Sequence, residues 1–199
     1  MAASIREATL GDRDACYDIC LRTGDSGADA SGLYEDPALI GEVYAGPYLA
    51  VAGGLGYVAE DDAGVAGYVL GTSDTRPFEA ACERTWWPAL RARHGDPGPA
   101  PRTPDERMRW LIHYPSTAAD DVVARYPAHL HIDLLPRLQG TGAGRALMDR
   151  VLARFGAEGA AGVHLGVGRS NERAVGFYRH LGFAPLAEDT HSLILGRGL

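Results

Sequence analysis

Cysteine is scarce in this chain, with Cys16, Cys20 and Cys82 the only three, and they form neither an even framework nor metal-type pairs. A secreted, disulfide-stapled domain is set aside on that ground, and a reducing compartment, the cytoplasm, is expected. Cys16 and Cys20 lie one helical turn apart and read as buried helix residues rather than a redox pair. Long apolar runs are lacking too. No stretch is long enough to span a bilayer, and the opening Met-Ala-Ala-Ser-Ile-Arg-Glu has no signal-peptide core, so no membrane partner is expected. Positive charge is in deficit, 19 basic against 26 acidic residues with a formal net charge of -7. Non-specific nucleic-acid binding depends on clustered cations, so nucleic acid is not an expected partner. Small anionic ligands stay open, because a few amides and one or two arginines suffice for them. Internal repeats and low-complexity tracts are absent, and 199 residues fit one domain, 1–199, with room for a large insertion.

What the chain does have is a strand, a glycine-rich turn and a helix between His129 and Phe155. Leu130, Ile132 and Leu134 alternate with His129, His131 and Asp133, giving a strand with one apolar face and one face able to do chemistry. After Pro136, the glycines Gly140, Gly142 and Gly144 lead into helically spaced Leu147, Met148, Val151, Leu152 and Phe155, with Gly156 as the expected stop. Amides at such a helix start make an anion site, most naturally for phosphate. Upstream, Ile5 to Thr9 reads as a first strand and Asp12 as the cap of a helix carrying Cys16, Ile19 and Cys20, ended by Gly24. Asp36-Pro37 opens a short helix to about Tyr44. Tyr48 to Glu60 and Val65 to Thr72 are expected antiparallel strands joined by a turn at Asp61 to Gly64.

The segment at about 73–127 reads as an insertion, with a helix around Phe78 to His94, a Pro/Gly break and a helix near Glu106 to Ile112. Its aromatic residues either line a pocket or pack the insertion onto the sheet. Downstream come a strand at Gly162 to Val167, a helix from Asn171 to Leu181 closed by Gly182, and a last strand at Ser192 to Leu195.

Alone, the glycine turn would fit several phosphate loops. A Walker loop needs Lys then Ser/Thr where Arg145-Ala146 stands, and a dinucleotide fold needs an acidic strand end where Gly166-Val167-Gly168 stands. Gln139-Gly140-Thr141-Gly142-Ala143-Gly144 instead resembles the signature of the GNAT superfamily of N-acetyltransferases. Asn171-Glu172-Arg173-Ala174-Val175-Gly176-Phe177-Tyr178, followed by Leu181-Gly182-Phe183, resembles that family's closing motif, and Ile5-Arg6 with Ala8-Thr9 looks like its first strand. A closer resemblance is to the acetyltransferase-like domain of O-GlcNAc hydrolases and its free-standing bacterial relatives. It rests on Tyr17 to Asp25, Tyr44 to Tyr48 and Tyr126 to Asp133.

The resemblance implies an α/β GNAT acyl-CoA acyltransferase fold, a twisted mixed sheet with helices on both faces, and acetyl-CoA as cofactor. It implies that Gln139, Gly140, Thr141, Gly142, Ala143, Gly144 and Arg145 hold the pyrophosphate, and that Leu134, Leu135 and Asn171 bind the pantetheine arm. Tyr178, two helical turns beyond Asn171, becomes the proton donor to the departing thiolate, where the spacing alone would also allow a core tyrosine. Asp133 is the candidate base, or a carboxylate that only orients the acceptor or pairs with an arginine; His129 and His131 are alternative bases on the same face. Asp25, Tyr34, Tyr48, Trp86, Trp110 and His113, with His129 and His131, are candidates to meet a small-molecule or peptide amine. Two other readings remain open: a non-catalytic acyl-CoA-binding or interaction domain, since animal members of that group are regarded as lacking a working acetyl-CoA site, and a metal-dependent hydrolase built on His129, His131 and Asp133. No metal is expected.

Overall fold

The computed structural model describes residues 3–199. Strand β1 (Ser4–Glu7) leads through one 3-10 turn into α1 (Arg13–Thr23), which ends at Gly24 as expected. The join is ionic: the Arg6 guanidinium forks onto Asp12 at 2.6 and 2.9 Å. Hydrogen bonding from Arg6, with help from Thr9, pulls the Asp12 carboxyl down to about 2 despite its burial. The chain has no lysine, so its 19 basic residues are all arginine. Its ion pairs among the described residues are accordingly guanidinium pairs, as at Arg6, Arg137 and Arg154, with imidazole at His94 and His131.

Helix α2 (Leu39–Tyr44) starts later than Asp36-Pro37 suggests, because Asp36 first closes a turn by accepting the Ala38 N–H at 3.0 Å. The strand expected from Tyr48 is corrected: Gly46–Ala50 is helix α3, where Pro47 suits a first turn, and β2 (Leu55–Asp61) begins only afterwards. β2 and β3 (Gly64–Thr72) form the expected antiparallel hairpin.

Between β3 and β4 lie four helices, α4 (Thr75–Thr85), α5 (Trp87–Arg93), α6 (Pro104–His113) and α7 (Asp120–Arg125). The single helix expected over Phe78 to His94 is thus two, since Pro88 cannot donate into the preceding turn and the chain restarts after Trp86. Thr103 and Glu106 cap α6 reciprocally. The chain continues as β4 (Ala128–Leu134), α8 (Ala143–Ala157), β5 (Gly162–Gly168), α9 (Glu172–His180), β6 (Ala184–Glu188) and β7 (Ser192–Gly198). Gly156 stays inside α8; the left-handed stop is taken by Gly159, at φ 89°.

The seven strands form one mixed sheet in the order β1-β2-β3-β4-β5-β7-β6, antiparallel except where β4 meets β5. Helix α8 packs across one face on β2 to β5, and α1 and α3 cover β3 on the other. Leu147, Met148, Val151 and Phe155 of α8 are fully buried, each worth about 1.5–3 kcal/mol relative to exposure. No helix among the described residues is long and apolar enough to cross a membrane.

Candidate functional site

Two pairs of residues, Ala128 with Val163 and His129 with His164, are all that join β4 to β5 before the strands part. The Leu135 amide donates to the Ala66 carbonyl of β3 at 2.8 Å. In an antiparallel ladder the bonding direction alternates, so the amides of Leu134 and Ile132 turn the other way, into the gap that β5 has left. This corrects the expectation for Leu135, whose donor is already used and whose side chain is buried. It brings in Ile132, whose side chain lies on the apolar face and whose amide direction only the strand pairing reveals.

At the open end of the gap stands the glycine turn. Gly140 and Gly142 have φ of 73° and 91°, conformations that disfavour any side chain, and a Cβ on either would point into open space. The first helical bond of α8 runs from the Ala146 N–H to the Gly142 carbonyl. The amides of Gly144 and Arg145 precede it and point out of the helix start, next to the vacant side of the two glycines. That open cradle of amides suits a pyrophosphate. Thr141 braces the turn by donating to the Leu138 carbonyl at 2.7 Å, and exposed Arg145 pairs with Asp149 at 3.3 Å. Gln139 donates to the Leu134 carbonyl at 2.7 Å and accepts from Arg173 of α9, so it links the two sides of the gap.

Across the gap, Asn171 caps α9 by accepting the Ala174 N–H at 3.0 Å. The loop after α1 lies over this corner: Ser26 and Ser170 hydroxyls are 2.9 Å apart, and a Cβ on Gly27 would come within 3.4 Å of Asn171 Nδ2. Tyr178 is buried against Phe177 and Phe183. Burial, and secondarily the Asp133 charge, push its hydroxyl well above the usual tyrosine range, so it holds its proton.

On the polar face of β4, Tyr68 of β3 stands directly opposite Asp133 and donates to its Oδ2 at 2.7 Å. The same hydroxyl oxygen lies 3.1 Å from Nδ1 of His131, and Nε2 of that ring lies 3.5 Å from the Asp133 carboxylate. The one hydroxyl proton goes to the carboxylate, so Nδ1 carries a ring hydrogen towards Tyr68 and Nε2 faces Asp133. Burial raises the Asp133 pKa, opposed by the His131 charge and the Tyr68 hydrogen bond. Tyr68 was missed in the sequence because only strand register places it there.

His129 is placed differently. Thr75 donates to the Pro127 carbonyl at 2.6 Å and accepts from His129 Nδ1 at 2.7 Å, so Nε2 accepts from Tyr48 at 2.9 Å. With both nitrogens engaged, and with burial and His164 lowering its pKa to about 3, this imidazole stays neutral and is not a base. Tyr48 and His129 line a cavity of about 340 Å³ between α2–α3 and the helices that follow β3.

Five other acceptor candidates lie elsewhere. Asp25 closes a tight turn with Ala28, and Tyr34 packs half-buried against the core. Trp86 donates to the Glu42 carbonyl at 3.0 Å, His113 to the His94 carbonyl at 2.8 Å, and Trp110 packs on Tyr114. Trp86 ties the α4–α5 junction to α2 and His113 ties α6 to the end of α5, while Trp110 packs within the end of α6; for Trp86 and His113 this is the packing role that competed with a pocket role. Among the described residues, no group of three or more His, Cys, Asp or Glu is arranged to hold a metal ion.

Comparison with known proteins identifies the family. Residues 108–183 match the acetyltransferase (GNAT) family. A crystal structure named SsHAT is similar over 100% of this chain and 98% of its own, with 40% identity and a TM-score of 0.91. The rat (Rattus norvegicus) protein O-GlcNAcase is 26% identical over 98% of this chain but only 22% of the relative, so the chain spans about a fifth of the length of such curated relatives. A phosphinothricin acetyltransferase from Sinorhizobium meliloti, solved in complex with AcCoA, shares 18% identity over 100% of this chain and 89% of its own, with a TM-score of 0.57, a likeness of fold. A sheet that parts beside a glycine-rich helix start is therefore no isolated likeness, and the chain belongs to the GNAT acetyltransferase family.

Proposed function

We propose that the protein transfers an acetyl group from acetyl-CoA to an amine by direct attack. The observation that carries this reading is the parting of β4 from β5 beside the open amide cradle at Gly140 to Arg145. Acetyl-CoA supplies a thioester-activated acetyl group when bound. The cradle amides, that of Thr141 among them, and the α8 dipole hold phosphate charge; Leu134 and Asn171 border the channel that takes the pantetheine arm; the Ile132 and Leu134 amides are preset donors for a carbonyl oxygen that gains charge. Asp133, its pKa raised by burial, accepts the proton of the attacking amine, with the His131 ring beside it. Tyr178 gives its proton to the sulfur as the carbon–sulfur bond breaks. Three buried free cysteines fit a cytoplasmic setting.

Calorimetric titration with acetyl-CoA and thiol release with a panel of amines test the reading. Saturable binding with amine-dependent thiol release is expected. Binding without release would leave an acyl-CoA-binding domain, and no binding would sink the proposal.

A further inference from the structure

The cavity of about 340 Å³ has no part in the acetyl-transfer steps above. It falls within the size of small-ligand sites. Its walls are largely apolar: Tyr48 and Phe78 stack at 4.9 Å and 9°, and Tyr44, Trp87 and Cys82 are among the other lining residues. The two carboxylates that reach it are already matched, Glu79 by Arg76 at 2.6 Å and Glu83 by Arg91 at 2.5 Å. The hydrogen-bonding capacity of His129 and Tyr48 is turned on each other. Such a lining offers no unmet charge to a cationic head and a large aromatic surface to a neutral tail.

Two links join the cavity to the reacting end of β4. His129 lies on the same strand face as His131 and Asp133, and Tyr44, which lines the cavity, stacks on His131 at 5.5 Å. From His129, beside Tyr48 and Phe78, to Asp133 is two steps of the same face, about 13 Å. We infer that the cavity anchors the tail of the acceptor, a primary amine carried on a long alkyl chain from an apolar, ring-bearing body, with the ring against Tyr48 and Phe78 and the amine beside Asp133. This rests on the acetyl-transfer reading for the fate of the amine, but the binding of the ring does not depend on it. The exposed loop that carries Ser116 and Thr117 forms part of the cavity rim, so the tail enters past it.

Calorimetry on the full chain with 8-phenyloctylamine and with octylamine separates ring from amine. The ring should tighten binding at least about tenfold, the effect of burying apolar area. Leu111→Phe fills the cavity from α6, and Ser116→Trp blocks its rim from an exposed position that cannot unfold the core. Each should remove the ring's advantage while acetyl-CoA affinity, measured in parallel, stays within about twofold. Equal affinity for the two amines, or a ring advantage that survives both substitutions, overturns the inference. Ring-dependent binding without acetyl-CoA binding or thiol release would instead fell the acetyl-transfer reading and leave the cavity as a ligand site.

Discussion

A tyrosine whose hydroxyl is held above its usual range by burial is protonated at every working pH, which an acid for a thiolate requires. Tyr178→Phe removes the proton and keeps the ring packing on Phe177 and Phe183. Thiol release should fall by about 10²-fold or more while acetyl-CoA affinity barely changes; unchanged turnover would remove Tyr178 as the acid. Tyr68 acts on the other side of the reaction. Its hydrogen bond lowers the Asp133 pKa against the upward push of burial, so Tyr68→Phe should move the acid limb of the kcat/KM profile to higher pH. A merely structural tyrosine would lower activity without moving that limb. Gly142 combines a left-handed φ of 91° with the open side of the cradle. Gly142→Val should strain the turn and place two methyl groups where phosphate is proposed to sit, and titration should show loss of acetyl-CoA binding.

At the scale of elements, Asn171 carries two duties, the cap of α9 and a place at the corner of the gap. Asn171→Ala should cost about 1 kcal/mol from the lost cap, a drop in Tm of roughly 2–4 °C for a chain of this size. Asn171→Asp retains an acceptor for the Ala174 amide and should recover the stability. The motifs at Gln139 to Gly144 and Asn171 to Phe183 were legible in the sequence because their chemistry is local: glycines where φ is positive, a capping side chain, an apolar face at helical spacing. Elements whose identity depends on tertiary context were not. Tyr48 to Ala50 belong to a run apolar and β-prone enough to read as strand, yet Pro47 seats them in a helix. β6 holds Pro185, which argues against a strand until the strand proves to be an edge, where a missing N–H is tolerated. The six residues of α7 are too few for a periodic signal.

For the whole molecule, the register between strands decides the site, and register has no local signature. It puts Tyr68 beside Asp133, spends the Leu135 amide on Ala66, and hands His129 to Tyr48 and Thr75 while leaving His131 by the carboxylate. The same placement sets the response to acid. His129 takes up a proton near 6.5 when unfolded but only near 3 when folded, so stability is complete above about pH 6.5 and falls as pH drops towards 3. Asp12, whose folded pKa is lowered from 3.8 to about 2, adds a second loss below about pH 4. Urea denaturation across this range should show both windows, with His129→Asn flattening the upper and Asp12→Asn the lower. A slope that persists in both variants would assign the acid response to other groups.

Ion pairs built on guanidinium and imidazole, with no lysine, have a practical consequence for chemistry with an activated acetyl donor. A guanidinium stays protonated and is a poor nucleophile at neutral pH, and without lysine the fold presents no ε-amine to its own reaction. In a mass spectrum of the protein incubated with acetyl-CoA and a lysine-containing peptide, every acetyl-lysine must sit on the peptide. Background self-labelling of that kind is absent by composition, so even slow turnover on a weak acceptor can be read directly.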